Sequence, residues 1–243
     1  MSRPASPIRA TLALTAMELR LTARRGENVL VTIVIPAAVL LFFASTGRSV
    51  QFLVPGAIGL AVIAAGLPNL GIATAYERSY GVLKRLGGAP IPRAGLIAAK
   101  LISILALEAI EVVLLLAVAV LVLGWQPQAG ASPPLIAGSV VLGTVAFAGL
   151  GLLLAGTLRA EGTLALANAL FLTFLMLGGV IVPVDELPAA VAAIARLLPA
   201  AALTDLLRAG FGTGAASVAG AAAILAAWAG AASILAVRTF RWE

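Results

Sequence analysis

Long apolar runs separated by short polar segments dominate the hydropathy pattern of the chain. A helix needs about 20 apolar residues to cross roughly 30 Å of hydrocarbon. Six runs can be drawn on this basis: 29–45, 52–74, 96–123, 135–158, 163–182 and 215–237. The pattern therefore predicts an all-α membrane protein with six transmembrane helices.

An amphipathic segment, residues 8–25, precedes the first apolar run. Ile8, Leu12, Leu19 and Ala23 fall on one face of a helix, with arginines beside them. This pattern predicts an interfacial helix that lies on the inner leaflet and turns its basic side chains toward anionic lipid headgroups. A solvated basic tail is the alternative interpretation.

The composition agrees with a membrane protein and narrows its chemistry. Hydrophobic residues make up 62% of the chain, whereas a soluble domain has about 45–50%. The chain has no Cys and no His, so thiolate and imidazole nucleophiles, the usual zinc and haem ligands and a Ser-His-Asp triad are excluded. We therefore expect no catalytic residue and no metal site.

The distribution of basic residues predicts the orientation of the spans. With the N-terminus inside, 13 of the 16 Lys and Arg residues fall on the inner side, and only Arg48, Arg196 and Arg208 fall outside. Basic residues accumulate in cytoplasmic loops. We expect both termini to be cytoplasmic, and the net charge of +6 reflects this rule rather than a nucleic-acid partner.

A compact basic segment, residues 76–93, lies between the second and third spans on the predicted cytoplasmic side. Its helical stripe consists of Tyr76, Tyr80, Leu83 and Gly87. Gly87 and Gly88 end the pattern, and Pro90 and Pro92 prevent it from continuing into the next span. The pattern predicts a short rigid helix that can transmit force from a soluble partner.

An apolar segment with a few charges, residues 183–212, precedes the sixth span on the predicted outer side. It is too apolar for an ordinary solvated loop, and Pro183, Pro188 and Pro199 divide it. Short helices that re-enter the outer leaflet are expected, with their breaks protected by protein. Asp205 and Arg208 are three residues apart and either pair on one helical face or form a surface pair of little energetic value.

Two sets of residues interrupt the apolar spans. Glu108 and Glu111 lie three residues apart in the third span, where a charge costs roughly 2.5–3.5 kcal/mol and usually faces a cavity or a partner. Pro68 and Asn69 break the second span, where a kink could shape a pathway. These residues are candidates for a translocation path, which could attract a cationic amphiphile or bind a proton. A structural role at helix interfaces is the alternative.

The segment around residue 80 resembles that of the membrane subunits, or permeases, of ABC-2 type ABC transporters. The family's segment reads Glu, then Gly with an aliphatic and basic run, then Leu and Pro. The matching positions are Glu77, Gly81, Leu83, Lys84, Leu86 and Pro90. The resemblance implies that this segment is a coupling helix that docks on an ATP-binding subunit.

The outer segment is similar to the family's stretch before the last span. The matching positions are Gly178, Gly179, Pro183, Leu187, Pro188, Pro199, Asp205, Leu207 and Arg208. The resemblance implies a single ABC-2 transmembrane domain over 1–243. Its parts are a cytoplasmic arm 1–27, spans 29–74, coupling segment 76–93, spans 96–182, outer segment 183–212, span 215–237 and tail 238–243.

The resemblance also implies partners and a location. No GxxxxGK[ST] phosphate loop occurs in the chain, so ATP and Mg are expected on two copies of a separate ATP-binding subunit. A second permease, identical or related, would complete an exporter of amphiphilic drugs or lipid-like molecules in a bacterial cell membrane. An ion-coupled secondary transporter using an intramembrane Glu and a non-transporting membrane scaffold are the alternatives.

Overall fold

The computed structural model describes residues 7–24, 26–87, 93–214 and 217–239, and its regular elements are helices. The α-helices are α1 Pro7–Arg24, α2 Gly26–Ser45, α3 Val50–Ala64, α4 Leu70–Ser79, α5 Val82–Gly87, α6 Arg93–Leu123, α7 Pro133–Thr157, α8 Ala160–Leu177, α9 Ala189–Ala195, α10 Pro199–Gly210 and α11 Val218–Thr239. The predicted all-α membrane fold is confirmed.

Five stretches of the described chain are long and apolar enough to cross a membrane. They are Val50–Ser79, Gly95–Leu123, Pro133–Thr157, Ala160–Leu177 and Val218–Thr239. These stretches correspond to the second to sixth predicted spans. The bent pair α9 and α10 is a sixth candidate if it is counted as one span. The first predicted span corresponds to α2, a helix of 20 residues.

Contacts at its two ends show that α2 passes from one side of the bundle to the other. Before α2, Glu18 of α1 contacts Lys100 near the start of α6. After α2, Arg48 lies 3.7 Å from Glu186, between α8 and α9. We call the first of these sides the α5 side and the second the α10 side. Together with the five longer stretches, α2 makes six passages in the described chain.

The second span continues through the predicted break at Pro68. Residues Ala65–Asn69 form a π-helical turn that joins α3 directly to α4. Proline has no backbone N–H and disrupts the regular hydrogen-bond ladder of an α-helix, and a π turn absorbs this disruption locally. The break is thus a π-helical turn within one continuous apolar stretch, Val50–Ser79.

The second span packs against α7 through its backbone. A Cβ atom placed on Gly151 of α7 would lie 2.5 Å from the carbonyl oxygen of Gly66. Such close approach is possible because small residues let two membrane helices bring their backbones together. The ring of Phe147 of α7 also packs edge-on against Phe174 of α8, with centroids 5.6 Å apart.

The fifth span ends earlier than the hydropathy pattern predicts. The apolar run extends to Val182, but α8 ends at Leu177. Gly178 and Gly179 form a turn there, and Gly179 adopts a left-handed conformation with φ +67°. The turn leads the chain into the outer segment while it is still apolar.

Candidate functional site

The predicted coupling segment consists of two helices rather than one. The expected stripe from Tyr76 to Gly87 is interrupted because α4 ends at Ser79 and α5 begins at Val82. Gly81 lies between them with φ +70°, a conformation that most residues avoid. Gly81 therefore forms the turn that redirects the chain, and the prediction of a single helix was wrong.

The turn divides the side chains of the coupling segment into an exposed and a buried set. Tyr80 is 73% exposed and Val82 is 40% exposed, whereas Leu83 is fully buried. Lys84 is exposed, and the backbone of Leu86 lies in α5; Pro90 and the side chain of Leu86 lie outside the described residues. We call Tyr80 and Val82 the α5 surface, because they are large apolar side chains that the described part of this segment presents outward.

Glu77, the first residue of the predicted coupling motif, belongs to a three-residue charge cluster. Lys100 Nζ of α6 donates hydrogen bonds to Glu77 Oε2 at 2.7 Å and to Glu18 Oε1 of α1 at 2.9 Å. The Lys100 side chain is only 3% exposed. The cluster therefore joins α1, α4 and α6 on the α5 side.

The role of Lys100 and Glu18 was not predicted from the sequence. A lysine within an otherwise apolar helix requires a partner when it is buried, and this was the available signal. The partner in α1 lies 82 positions away along the chain, so no local spacing could identify it.

A second contact fixes the end of α4. The Arg78 side chain donates a hydrogen bond to the carbonyl oxygen of Leu158, which follows α7. Leu158 lies in the short connection between α7 and α8. Glu77 and Arg78 thus tie the end of α4 to α1, to α6 and to the turn between α7 and α8.

The outer segment forms short helices separated by breaks, as predicted. The axes of α9 and α10 are bent by 80° at the break between them. Each proline lies at a helix start: Pro183 precedes the short 3₁₀ turn Val184–Glu186, Pro188 precedes α9, and Pro199 is the first residue of α10. Proline suits these positions because its missing N–H would have no partner within the helix.

Arg208 anchors α10 to the end of α8. Its guanidinium donates a hydrogen bond to the carbonyl oxygen of Gly179 and lies 3.4 Å from a carboxylate oxygen of Asp205. It also lies 4.0 Å from the centre of the Phe52 ring, at cation–π distance. Arg208 is buried, so Asp205 and Arg208 form a partly buried pair rather than a solvated one.

The glycine pair after α8 fits closely against α10. Thr204 Oγ1 donates a hydrogen bond of 2.6 Å to the carbonyl oxygen of Gly178. A Cβ atom on Gly178 would lie 2.7 Å from the Cβ of Ala200, and one on Gly179 would lie 3.3 Å from both Thr204 and Arg208. The two glycines therefore permit the contact that holds the outer segment in the bundle.

The intramembrane carboxyls lie inside the helix bundle. Glu108 and Glu111 are both buried, and Glu108 Oε2 makes a hydrogen bond with Thr144 Oγ1 of α7. Glu108 Oε1 and both Glu111 oxygens have no hydrogen-bond partner in the described part of the chain. Pro68 and Asn69 are half-buried in the second span. Thr144 was not predicted, because a threonine in an apolar run has no distinguishing sequence signal.

A separate apolar pocket lies between α6, α7 and α11. Its lining includes Ile97 and Leu101 of α6, Gly149 of α7 and Val237 of α11. Because Ile97 and Leu101 are close to the start of α6, the pocket lies in the half of the bundle nearest the α5 side. Its lining does not include the intramembrane carboxyls.

Comparison with known proteins identifies the family. The profile of the ABC-2 type transporter family matches residues 9–211. The chain is also 33% identical over 165 residues to the protein named "Probable multidrug ABC transporter permease YbhS" in Escherichia coli strains K12 and O157:H7. That match covers 65% of this chain and 42% of the relative's length. The chain belongs to the ABC-2 type transporter family.

Proposed function

We propose that this chain is the membrane permease subunit of an ATP-driven exporter and that a separate ATP-binding subunit moves it. The α5 surface carries this proposal. Tyr80 and Val82 are apolar and exposed at a turn between two spans, and exposed apolar side chains of this kind suit contact with a protein partner. In the proposed complex they enter a groove on the ATP-binding subunit.

The charge cluster supports the proposed transmission of movement. Because Lys100 holds Glu77 and Glu18 together, a push on α5 reaches α4, α6 and α1 at once. A flexible loop would absorb such a push, whereas a turn fixed to three helices transmits it. Closure of the ATP-binding subunits on ATP would thereby repack the spans.

The proposed orientation places the α5 side in the cytoplasm of a bacterial cell, with the inner or plasma membrane around the spans. The basic residues counted above support this orientation. Both termini are then cytoplasmic. Helix α1 lies along the inner leaflet, where the exposed side chains of Leu12 and Met17 contact lipid.

The proposed complex contains two permeases and two ATP-binding subunits. ATP and Mg are held by the ATP-binding subunits, and this chain performs no catalysis. The second permease is another copy of this chain or a related chain. The membership of the ABC-2 type transporter family supports the association with an ATP-binding subunit.

The proposed substrate is an amphiphilic drug or a lipid-like molecule that leaves the inner leaflet. The lining of the pocket between α6, α7 and α11 is apolar and offers little to a polar solute. The proposed path passes Pro68, Asn69, Glu108 and Glu111 when α6 and α7 move apart. Carboxyls at this depth would favour cationic amphiphiles.

Alanine substitution of the α5 surface tests the coupling. The double variant Tyr80→Ala/Val82→Ala should retain the fold but lose copurification with the ATP-binding subunit and most substrate-stimulated ATPase activity. The matched control is Ile194→Ala/Leu197→Ala, which truncates two side chains of similar exposure on the α10 side. The control should behave like the wild type.

The same assay separates the alternative functions. Full copurification and full stimulated ATPase activity in the α5 surface variant would contradict the proposal. Transport by this chain alone in ATP-free vesicles under a pH gradient would favour the ion-coupled transporter. An absence of substrate-dependent ATPase activity even in the wild-type complex would favour the scaffold.

A further inference from the structure

Thr144 has contacts with two oxygen atoms but only one hydroxyl hydrogen to donate. Thr144 Oγ1 lies 2.7 Å from the carbonyl oxygen of Val140 and within hydrogen-bonding distance of Glu108 Oε2. A threonine hydroxyl has one hydrogen, and a carbonyl oxygen has none. If Thr144 donates its hydrogen to Val140, as is usual for a helical threonine, the hydrogen in the second contact comes from the Glu108 carboxyl.

We propose that Glu108 and Glu111 form a proton-binding site in the middle of the bundle. While α6 and α7 are packed together, both carboxyls are neutral, and Glu108 donates its proton to Thr144. Glu111 has both oxygens fully buried and without a hydrogen-bond partner. A carboxylate in such a position would lose its hydration without gaining a hydrogen bond or an ion pair, so the neutral acid is the stable form.

The surroundings contain no described cation that could replace the protons. The nearest titratable group on the same helix is the other acid, Glu111, three residues from Glu108, and an acid cannot neutralise a carboxylate. Neither α3 nor α7 contains a charged residue. Lys100 lies eight positions before Glu108, about 12 Å along the helix, and is already paired with Glu18 and Glu77.

The other charges on neighbouring elements lie toward the bundle ends. In α1, which packs on α6, the described Glu18 is paired with Lys100 and the described Arg20 is exposed. The basic residue of α11 is Arg238, in its last turn. A proton also needs no cavity, whereas a metal ion or an organic cation would need space beside the carboxyls.

The site works by reversible acid dissociation. When α6 and α7 separate, water reaches the carboxyls, each acid transfers its proton to a water molecule, and a carboxylate and a hydronium ion result. The reverse transfer accompanies repacking. If the chain is the permease proposed above, each opening of the path would expose up to two negative charges and closure would remove them. The proton site itself does not depend on that function.

Infrared spectroscopy of the purified chain, residues 1–243, in lipid nanodiscs tests the site without any ATP-binding subunit. At neutral pH the wild type should show the C=O stretching band of protonated carboxyls shielded from solvent. Glu108→Gln and Glu111→Gln should each remove part of the band. Glu161→Gln alters an exposed carboxyl and should leave the band unchanged.

Thr144→Val supplies an independent readout, because it removes the hydroxyl while keeping the side-chain shape. The Glu108 component should shift to higher frequency as its hydrogen bond is lost. An absent band in the wild type, or a band unaffected by Glu108→Gln, would overturn the proposal. If Glu108→Gln does not fold, an unshifted band in Thr144→Val decides against it. Failure of the transport proposal would leave all these spectra unchanged, so the two failures are distinguishable.

Discussion

Replacement of Lys100 by Met tests the charge cluster most directly. The change keeps the length of the side chain and removes the ammonium group, which leaves Glu18 and Glu77 as unpaired carboxylates. Removing one partner of a buried ion pair costs roughly 3–5 kcal/mol. Because the Glu18 and Glu77 side chains retain 14% and 16% exposure, water compensates in part. We expect a loss of about 3 kcal/mol, at the lower end of that range.

The assay is thermal unfolding of the purified chain in nanodiscs, followed by tryptophan fluorescence. A loss of this size should lower the Tm by about 6–12 °C in a chain of this length. The exposed Arg159 provides the control, and Arg159→Met should change the Tm little.

A triple variant separates charge pairing from packing. Lys100→Met combined with Glu18→Gln and Glu77→Gln removes all three charges, and most of the lost stability should return because no unpaired charge remains. An unchanged Tm in Lys100→Met would refute the reasoning. A triple variant as unstable as the single one would show that packing rather than pairing is responsible.

Three further predictions concern other parts of the molecule. Gly179→Ala should destabilise the chain by about 1–2 kcal/mol because Gly179 has a left-handed backbone conformation. The control is Gly230→Ala, at a helical position with nothing within 4 Å of the added atom, which should be neutral or stabilising. Chemical unfolding of both variants measures the difference. Leu83→Ala should cost about 2–5 kcal/mol through a cavity and lower the Tm, and an unchanged Tm would contradict the burial of this side chain. The double replacement of Glu108 and Glu111 by Gln should reduce export of a cationic amphiphile in vesicles more than that of a neutral one, and equal rates in variant and wild type would remove these residues from the path.

The hydropathy pattern was sufficient for the all-α class and for the approximate positions of the spans. The helix ends predicted from hydropathy were wrong where a glycine turn ends a helix within an apolar stretch. The fifth span ends at Leu177 because Gly178 and Gly179 turn the chain, although the next residues are apolar. The coupling segment is divided at Gly81 for the same reason: a helical pattern of side chains does not reveal a glycine with positive φ.

The candidate site could be predicted only where its residues are close in sequence. Asp205 and Arg208 are three residues apart, and their pairing followed from helical spacing. Lys100 and Glu18 are brought together by the packing of α1 on α6, and Thr144 meets Glu108 across 36 positions. Such contacts depend on the tertiary arrangement, which a single sequence does not display.

Site-specific cross-linking is the most direct test of whether the α5 surface binds an ATP-binding subunit. The chain has no native cysteine, so Tyr80→Cys introduces a unique thiol on this surface. A short thiol-reactive cross-linker should join Tyr80→Cys to the ATP-binding subunit, whereas Ala129→Cys, in the exposed loop between α6 and α7 on the α10 side, should form no such product. Equal cross-linking at both positions, or none at Tyr80→Cys in a complex that retains ATPase activity, would contradict the account.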